Sequence, residues 1–576
     1  MKPPLNPALQ LRLPLGRTRV LVALLLLCFA ILAARAMYLQ VWQNDFLQQE
    51  GASRFTRIIE LPAHRGMITD RNGEPLAIST PVESVWAAPA DVQITPTQRR
   101  QLASMLDLDE LDLKKKLADP DREFVYLRRH LAPELAAKVV RLGVPGVSLR
   151  REYRRYYPAG ELTANLVGIT DVDDRGQEGI ELEYQDWLAG KPGSRRVIKD
   201  RLGRVVEDAE YLRPPVEGRD LALSVDRKLQ YLAYRELRAA VERHRAKAAG
   251  IVVLDLRTGE VLALANLPAF NPNNRATLDA RHARNRVITD TFEPGSTLKP
   301  FTVAAALEAG VIRPNTELQT APGYLIVGDA TIHDAHPEGV LTVGQVIQKS
   351  SNVGAAKLAL ALPRESLWNI LSAAGFGVAP PLGFPGQASG HMRPYQHWRP
   401  IEQATLSYGH GISVSLLQLA RAYTIFGTDG QLQRLTLVRR DQPIEGKRVI
   451  SQRTALAVRS MLELVVQPGG TAPRARITGY RVAGKTGTAH KLDGRGYVAD
   501  RYVSSFVGMA PASDPRLLVA VMVDDPSAGE YYGGAVAAPV FSRVMSEALD
   551  VLSIPPDAPT TEAVPVDAIP EVREEV

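Results

Sequence analysis

Ser296 and Lys299 form the clearest candidate pair for nucleophilic chemistry in this sequence. If the Ala-rich run from Thr297 to Ala309 is a helix, their spacing of three places both side chains on one face, with Cβ atoms ~5–6 Å apart. Pro294-Gly295 precedes the serine, so Ser296 is expected at the helix start, where free N–H groups favour an oxyanion. Lys299 can act as a base only while neutral, which requires burial or a second cation to lower its pKa. The pair is suited to acyl transfer through a serine ester.

Two further elements come later in the chain, Ser350-Ser351-Asn352 and then Lys485-Thr486-Gly487-Thr488. Alone, the first is an ordinary helix cap and the second an ordinary turn. Together with Ser-x-x-Lys they form the pattern of serine acyltransferases that react with β-lactams. We expect Lys485 to be the second cation, Ser350 to relay a proton to a leaving amine, and Asn352 to hold the substrate's backbone amide.

The segment from Lys485 to Thr488 predicts an exposed edge strand. Gly487 lacks a side chain, so an extended peptide can approach and pair with the strand. Lys485 and the hydroxyls of Thr486 and Thr488 can bind a terminal carboxylate. An N–H of this strand, with that of Ser296, would form an oxyanion hole. The expected substrate is therefore a peptide that ends in a free carboxylate.

Histidines offer weaker candidates. His333 and His336 have a spacing that suits a metal, but no further ligand set is evident, so we predict neither a metal nor another cofactor. His410 lies between two glycines and is expected in a tight turn lining the cleft rather than as a base. The segment 531–534, Tyr-Tyr-Gly-Gly, is expected to be a loop near the cleft.

The elements that must position these residues predict an α+β fold. An amphipathic helix from Asp226 to His244 precedes a buried hairpin at 251–264. Strands are expected at 480–490, 502–509 and 517–523, and a closing helix at 539–552. Strands from both ends of this region around a helical middle imply one antiparallel sheet with helices on its faces.

The N-terminal region predicts a membrane anchor. Residues 20–42 are almost wholly apolar and long enough to span a bilayer, with the basic residues of the N-terminus before them. A cleaved signal peptide is the alternative. An anchor leaves the N-terminus in the cytoplasm and the rest outside the inner membrane. Cys28, the only cysteine, falls in the span, which excludes disulfides and a thiol nucleophile from the outer portion.

The region between the anchor and the catalytic part predicts an elongated α+β module. Arg65 to Gly73 contains an Asn-Gly hairpin turn, whose charges we interpret as a structural ion-pair network. Leu and Ala recur at three and four residues in the stretch 101–143, which predicts an amphipathic helical subdomain. The net charge of +6 is spread along the chain, so nucleic-acid binding is not expected.

These observations predict five parts of the 576-residue chain. They are a cytoplasmic tail at 1–19, a transmembrane signal anchor at 20–42, a non-catalytic pedestal (dimerisation-like) domain at 43–217, the catalytic domain at 218–552, and a disordered, Pro- and acid-rich tail at 553–576.

The segments 292–300 and 348–354 resemble class B penicillin-binding proteins, most closely the division-specific FtsI type. The resemblance implies that Ser296 is the acylated nucleophile, Lys299 its base, Ser350 and Asn352 the second motif, and 485–488 the substrate-binding strand. Elongation-type relatives usually carry Asp where Asn352 stands, which favours the septal type. The residues that resemble the family's pedestal motifs are Arg65-Gly66, Asp70 to Gly73, Arg155 with Gly160, and Gly179 with Glu181.

The resemblance also implies a penicillin-binding/serine β-lactamase-like fold and a peptidoglycan D,D-transpeptidase of septal wall synthesis. Its donor would be a stem peptide ending in D-Ala-D-Ala and its acceptor a neighbouring strand's amine, with β-lactams as covalent inhibitors. Implied partners are the septal glycosyltransferase FtsW and other divisome membrane proteins. The catalytic domain would be periplasmic on a single-pass inner-membrane protein.

Several alternatives remain open from the residues alone. A D,D-carboxypeptidase or β-lactamase shares the acylation step but sends water to the acyl-enzyme, and an elongation-type transpeptidase is the other enzymatic alternative. A non-catalytic divisome scaffold is a further alternative, whereas a penicillin sensor would need a larger cytoplasmic domain. A bifunctional enzyme would need a glycosyltransferase signature of the Glu-Asp-x-x-Phe type before residue 220, and none is present.

Overall fold

The computed structural model describes residues 15–44, 56–199, 205–274, 279–440, 442, 445–493 and 496–559. The longer α-helices are Leu15–Met37, Pro96–Met105, Glu110–Lys116, Pro133–Arg141, Arg227–His244, Lys299–Glu308, Val343–Lys349, Asn352–Leu360, Arg364–Ala373, Pro400–Leu406, Leu416–Gly427, Gln452–Glu463 and Ala538–Val551. The shorter ones are Ala164–Val167, Gly179–Glu183, Gln185–Leu188, Ala280–Ala283, Arg286–Thr289 and Gly533–Val536.

The strands complete a mixed α+β architecture, as predicted. They are β1 Thr56–Leu61, β2 Ile68–Thr69, β3 Pro75–Ala87, β4 Val125–Leu131, β5 Val147–Tyr156, β6 Gly193–Lys199, β7 Val205–Arg213, β8 Leu221–Ala222, β9 Ala248–Asp255, β10 Val261–Leu267, β11 Thr291–Phe292, β12 Glu317–Gln319, β13 Tyr324–Val327, β14 Ala330–His333, β15 Val340–Thr342, β16 Val414–Ser415, β17 Gln431–Leu432, β18 Lys447–Arg448, β19 Ala483–Asp493, β20 Gly496–Ala510 and β21 Leu517–Asp524.

The chain forms two compact units, each assembled from separate stretches of sequence. The first unit comprises the described residues within 1–63, 82–152 and 191–216. The second comprises the described residues within 64–81, 153–190 and 217–576. Two stretches of the predicted pedestal, 64–81 and 153–190, therefore pack in the same unit as the predicted catalytic residues.

A five-stranded antiparallel sheet forms the centre of the second unit, in the order β10-β9-β21-β20-β19. Every residue of β9 and β10 is buried, which explains their nearly continuous apolar sequences. The helices Arg227–His244 and Ala538–Val551 pack on each other and on the sheet. The helix Leu416–Gly427 also packs on the sheet. The predicted antiparallel sheet flanked by helices is confirmed.

The N-terminal helix extends from Leu15 to Met37 and continues as one π-helical turn, Tyr38–Trp42. It is the one helix in the described ranges that is long and apolar enough to cross a membrane. Residues 1–14 of the predicted cytoplasmic tail lie outside the described residues.

In the first unit, the prediction of a wholly helical stretch at 101–143 is wrong. Strand β4 lies between the helices Glu110–Lys116 and Pro133–Arg141 and pairs antiparallel with β3. Leu127 and Leu131 point into the same core. Their spacing of four residues fits one face of a helix and equally one face of a strand, so the pattern could not separate the two structures.

The predicted ion-pair network centres on the buried carboxylate of Glu181. Arg65 binds it with Nη2 to Oε2 at 2.7 Å, and Arg155 binds it with Nε to Oε1 at 2.6 Å. Asp70 instead accepts the backbone N–H of Arg227, at the start of the first long helix of this unit. The network joins the segment before β2 and the end of β5 to the helix Gly179–Glu183.

The tail prediction is wrong for its first residues. The Tyr480 hydroxyl donates to the carbonyl of Ile554 at 2.6 Å, and Asp557 accepts the backbone N–H of Arg481 at 2.7 Å. Ile554 also packs against the main core. Ile554 and Asp557 contribute the side-chain contacts, backbone hydrogen bonds of residues 553, 554, 557 and 558 add to them, and composition averaged over the tail conceals all of these contacts. Residues 560–576 lie outside the described residues.

Candidate active site

Ser296 lies on a 3₁₀ turn, Gly295–Leu298, that leads directly into the helix Lys299–Glu308. The predicted helix is therefore present, with a tighter first turn, because the nitrogen of Pro300 cannot donate to an earlier carbonyl. Ser296 is 5% exposed and Lys299 is fully buried. The Nζ of Lys299 lies 2.8 Å from the Oγ of Ser296, so the predicted pair is in hydrogen-bond contact.

Three other oxygens surround the Lys299 amine. They are the Ser350 carbonyl at 2.5 Å, the Ser350 Oγ at 3.0 Å and the Asn352 Oδ1 at 2.8 Å. A neutral amine has two N–H donors and one lone pair. Donation to the Ser350 carbonyl and to Asn352 leaves the lone pair for the Ser296 hydroxyl. The site therefore accommodates Lys299 as an acceptor of the serine proton.

Lys485 approaches the same Ser350 hydroxyl from β19. Its Nζ lies 3.0 Å from Ser350 Oγ, and it also donates to the carbonyl and hydroxyl oxygens of Thr486 at 3.2 and 3.1 Å. These three oxygen acceptors match the three N–H donors of a protonated Lys485 side chain. Ser350 Oγ thus joins the two lysine amines, which lie no more than about 6 Å apart, a separation at which two positive charges repel.

The Ser350-Ser351-Asn352 turn is held by a residue that sequence reasoning missed. Ser350 has a left-handed backbone, with φ 61°, at the end of the helix Val343–Lys349. Asp334 fixes the next three residues, because its carboxylate accepts the Ser351 hydroxyl at 2.7 Å and the Val353 N–H at 2.9 Å. Ser351 caps the next helix, as its isolated pattern suggests.

Asp334 belongs to the stretch that we considered for a metal. The carbonyl of His333 accepts the Asn352 Nδ2 at 3.2 Å. Within the described ranges, no group of three potential metal ligands is found. Both ends of the Asn352 amide are engaged by the protein, one with Lys299 and the other with His333. Its expected contact with a substrate amide stays a prediction.

Strand β19 is at the edge of the sheet, as predicted, but its residues from Ala483 to Ala489 are buried. Lys485 and Thr486 are fully buried. A Cβ on Gly487 would lie 2.5 Å from Ser505 Oγ, 2.7 Å from the Pro294 carbonyl and 2.8 Å from Thr297 Cγ2. The missing side chain therefore lets the nucleophile turn pack on the strand, which is a different role from the predicted approach of a peptide.

The two threonines of this strand have different partners. Thr486 Oγ1 lies 2.8 Å from Thr471 Oγ1, another residue that no sequence pattern indicated. Thr488 Oγ1 accepts the backbone N–H of Gly533 at 3.0 Å, which brings the Tyr-Tyr-Gly-Gly segment against the strand. The loop prediction for this segment is wrong for its two glycines, which begin the helix Gly533–Val536. The rings of Tyr531 and Tyr532 pack with centroids 4.3 Å apart.

A second polar cluster surrounds Glu293, just before the nucleophile turn. Its carboxylate accepts the N–H of Gly411 at 2.8 Å and the hydroxyl of Tyr497 at 3.0 Å, and burial raises its pKa. His410 lies in the predicted tight turn, with Nδ1 3.5 Å from the Tyr497 hydroxyl. Burial, with the nearby Lys299 and His490, lowers the pKa of His410 to about 4, so its ring is neutral at neutral pH.

The catalytic helix is supported from behind by aromatic residues. The Tyr423 hydroxyl donates to the Thr297 carbonyl at 2.6 Å. The ring of Phe301 packs against those of Tyr423, Phe426 and Phe376, with centroids 5.0–5.4 Å apart. These buried contacts fix the turn that carries Ser296.

Comparison with known proteins agrees with this geometry. Residues 249–546 match the family model of the penicillin binding protein transpeptidase domain, and residues 60–223 match that of the penicillin-binding protein dimerisation domain. The chain is 45% identical over 552 residues to peptidoglycan D,D-transpeptidase FtsI of Escherichia coli, covering 95% of this chain and 93% of the relative. It is 43% identical over 552 residues to the probable peptidoglycan D,D-transpeptidase PenA of Neisseria gonorrhoeae, covering 95% of both.

Solved structures show the same relationship. Penicillin-binding protein 3 of Mycobacterium tuberculosis, in complex with aztreonam, superposes with a TM-score of 0.68 at 28% identity, covering 87% of this chain and 99% of that one. The motifs, the buried Ser-Lys pair and these similarities lead to one conclusion: the chain belongs to the penicillin-binding protein transpeptidases.

Proposed function

We propose that this protein is a peptidoglycan D,D-transpeptidase that cross-links stem peptides in septal cell-wall synthesis. The observation that carries the proposal is the 2.8 Å contact between Lys299 Nζ and Ser296 Oγ in a buried site that also holds Ser350 and Lys485. The names of the FtsI and PenA relatives support the same reaction.

In the acylation step, Ser296 Oγ attacks the carbonyl carbon of the penultimate D-Ala, and its proton passes to Lys299 Nζ. The carbon–nitrogen bond to the terminal D-Ala then breaks. Ser350 Oγ, within 3.0 Å of both lysine amines, relays a proton to the departing amine. The products are a serine ester and free D-Ala.

In the second step, the amine of a neighbouring stem peptide attacks the ester carbonyl. The amine loses a proton and Ser296 Oγ regains one, by the same route in reverse. An amide bond replaces the ester, so the two stem peptides are cross-linked and the enzyme is regenerated.

Backbone donors and a cation would bind the charges of the substrate. The N–H groups of Ser296 and Thr488 are the proposed oxyanion hole. Lys485, with the hydroxyls of Thr486 and Thr488, is the proposed site of the terminal carboxylate. β-Lactams would acylate Ser296 in the same way, which makes them covalent inhibitors.

The apolar helix Leu15–Trp42 and the relatives support a membrane-anchored setting. We assign one inner-membrane span, with the N-terminus cytoplasmic and the catalytic unit periplasmic. The basic residues before the span support this orientation. The glycosyltransferase FtsW and other divisome membrane proteins are the proposed partners.

The reaction is tested with a peptide ending in D-Ala-D-Ala, a D-amino acid acceptor, and the full-length protein purified with and without FtsW. Transpeptidation requires both D-Ala release and an amide product that contains the acceptor, and Lys299→Met should abolish both. D-Ala release with hydrolysed donor alone would favour a carboxypeptidase. Neither product under either condition, from folded protein, would contradict the proposal.

A further inference from the structure

A buried threonine outside the three sequence motifs ends the hydrogen-bond chain that begins at Ser350. The Oγ of Ser350 lies 3.0 Å from Lys485 Nζ, and the same amine donates to Thr486 Oγ1 at 3.1 Å. Thr486 Oγ1 lies in turn 2.8 Å from Thr471 Oγ1. Thr471 is only 2% exposed. It therefore contacts the catalytic groups through one side chain, that of Thr486.

The backbone around Thr471 leaves this residue little freedom. The N–H of Ala472 donates to the carbonyl of Val465 at 3.0 Å. A Cβ on Gly534 would lie 2.2 Å from the Thr471 carbonyl, so the helix Gly533–Val536 packs directly on this residue. The Thr471 side chain is thus held at a fixed position beside β19.

The direction of the hydrogen bond between the two threonines follows from burial. In the part of the chain that the structure describes, the Thr471 hydroxyl has one hydrogen-bond partner, Thr486. A buried hydroxyl proton without an acceptor is costly, so Thr471 is the donor and Thr486 Oγ1 the acceptor. The same oxygen accepts from Lys485, whose ammonium group can only donate. Thr486 Oγ1 therefore uses its two lone pairs for two different donors.

The bond from Thr471 selects the rotamer of Thr486. A threonine side chain can turn about its Cα–Cβ bond between staggered positions, and the other positions move Oγ1 away from Lys485. The Thr471 hydroxyl favours the position in which this oxygen faces both donors. A valine at 471 would fill the same space without burying a polar group, so packing alone does not account for the threonine.

We propose that Thr471 is a positioning residue that holds the ammonium group of Lys485 in place through Thr486. Without the bond from Thr471, Thr486 Oγ1 can turn away and Lys485 loses one of its three acceptors. The contact of Lys485 with Ser350 Oγ is then less well fixed, so the proton relay to the leaving group is slower. The inference rests on the proposed function, because it is there that Lys485 and Ser350 take part in acylation.

Acylation of the full-length protein by a fluorescent penicillin tests this role. Thr471→Val should lower the second-order rate constant by about tenfold, the effect of one hydrogen bond lost from a buried site. Thr471→Ser keeps the hydroxyl and should react within about twofold of the wild type. Thr436→Val should leave the rate constant unchanged. It is the matched control, because Thr436 is also buried and donates its hydroxyl proton to the carbonyl of Val438 at 2.9 Å.

A double-mutant cycle separates action through Thr486 from a general effect on the fold. Thr486→Val alone should lower the rate constant at least as much as Thr471→Val does. In the Thr486→Val background, Thr471→Val should have no further effect, because the oxygen on which Thr471 acts is absent. A purely structural role would instead give additive losses in the double variant.

The outcomes are distinguishable. Equal rate constants for the wild type and Thr471→Val, additive losses in the cycle, or a Thr471→Ser variant as slow as Thr471→Val would each overturn the proposal. Thr471→Ala removes the same hydroxyl with a smaller side chain, and it replaces Thr471→Val if that variant does not fold. A folded wild-type protein that forms no adduct would contradict the proposed function itself, and this inference with it.

Discussion

The carboxylate of Asp334 accepts the hydroxyl of Ser351 at 2.7 Å, so a residue at the end of a hairpin fixes the turn that carries Ser350. The same carboxylate accepts the N–H of Val353. Ser350 occupies a left-handed backbone conformation, which is costly for a residue with a Cβ. Asp334 therefore holds the turn in a shape that it would not favour alone.

Replacement of Asp334 should mainly slow the acylation of Ser296, with little effect on the stability of the fold. In Asp334→Ala, Ser350 and Asn352 lose their fixed positions beside Lys299, and we expect the acylation rate constant for a fluorescent penicillin to fall by about tenfold or more. Asp329→Ala, an exposed change in the same hairpin, is the control. Equal rates for wild type and Asp334→Ala would show that the turn is held by other contacts.

Lys485→Met should reduce acylation strongly. It removes one of the two amines that contact Ser350 Oγ and the cation proposed for the carboxylate. We expect a loss of about 10²–10³ in the second-order acylation rate constant. Lys491→Met, on the same strand and paired with Asp524, should leave the rate near that of the wild type. A similar loss in both variants would point to general damage to β19.

Gly487→Ala should displace the strand from the nucleophile turn. The new Cβ would meet the Pro294 carbonyl at 2.7 Å and Ser505 Oγ at 2.5 Å. We expect destabilisation of about 1–3 kcal/mol, measured by denaturant unfolding, and slower acylation. Adding Ser505→Gly removes the clash with Ser505 Oγ but not those with the Pro294 carbonyl and Thr297 Cγ2, so it should not restore the rate. Full rescue by the double variant would contradict this packing.

Asp174 should make the stability of the protein dependent on pH. Burial raises its pKa to about 6 from its usual 3.8, despite the opposing effect of Arg65 and Arg155. The folded state thus binds the Asp174 proton more tightly than the unfolded chain does. The contribution of this protonated carboxyl to the free energy of unfolding is therefore fully present below pH 3.8 and is lost as pH rises through about 6.

Asp174→Asn should remove this dependence. We expect a Tm about 2–4 °C above that of the wild type at pH 7 and a difference near zero at pH 4. Asp173→Asn, an exposed change in the same turn, should behave like the wild type at both values. A variant that is less stable than the wild type at pH 7 would show that the ionised carboxylate is stabilised by its arginines.

The sequence predicted the features that depend on local spacing. Ser296 and Lys299 are one turn apart, so a helix alone brings them together. The antiparallel sheet was predictable because strands such as β9 and β21 are strongly apolar. The three motifs were recognised as a set because their residue types are specific to one chemistry.

The contacts that were missed are long-range and involve ordinary residues. Asp334 lies 17 residues from Ser351, Tyr423 lies 126 residues from Thr297, and Thr471 lies 15 residues from Thr486. No periodicity marks a single Asp, Tyr or Thr as a partner. The burial of Lys485 and Thr486 on β19 was also not predicted. An edge position means only that one hydrogen-bonding side of the strand is free, and it does not determine whether the side chains are covered.

The central claim is that Ser296 is a nucleophile activated by Lys299, and intact-protein mass after addition of benzylpenicillin tests it most directly. We predict a long-lived adduct of one penicillin per chain that maps to Ser296 in the full-length protein and is absent from folded Ser296→Ala. An adduct that forms and quickly hydrolyses would favour a hydrolase. A folded wild-type protein that forms no adduct, or an adduct that persists in Ser296→Ala, would contradict the account.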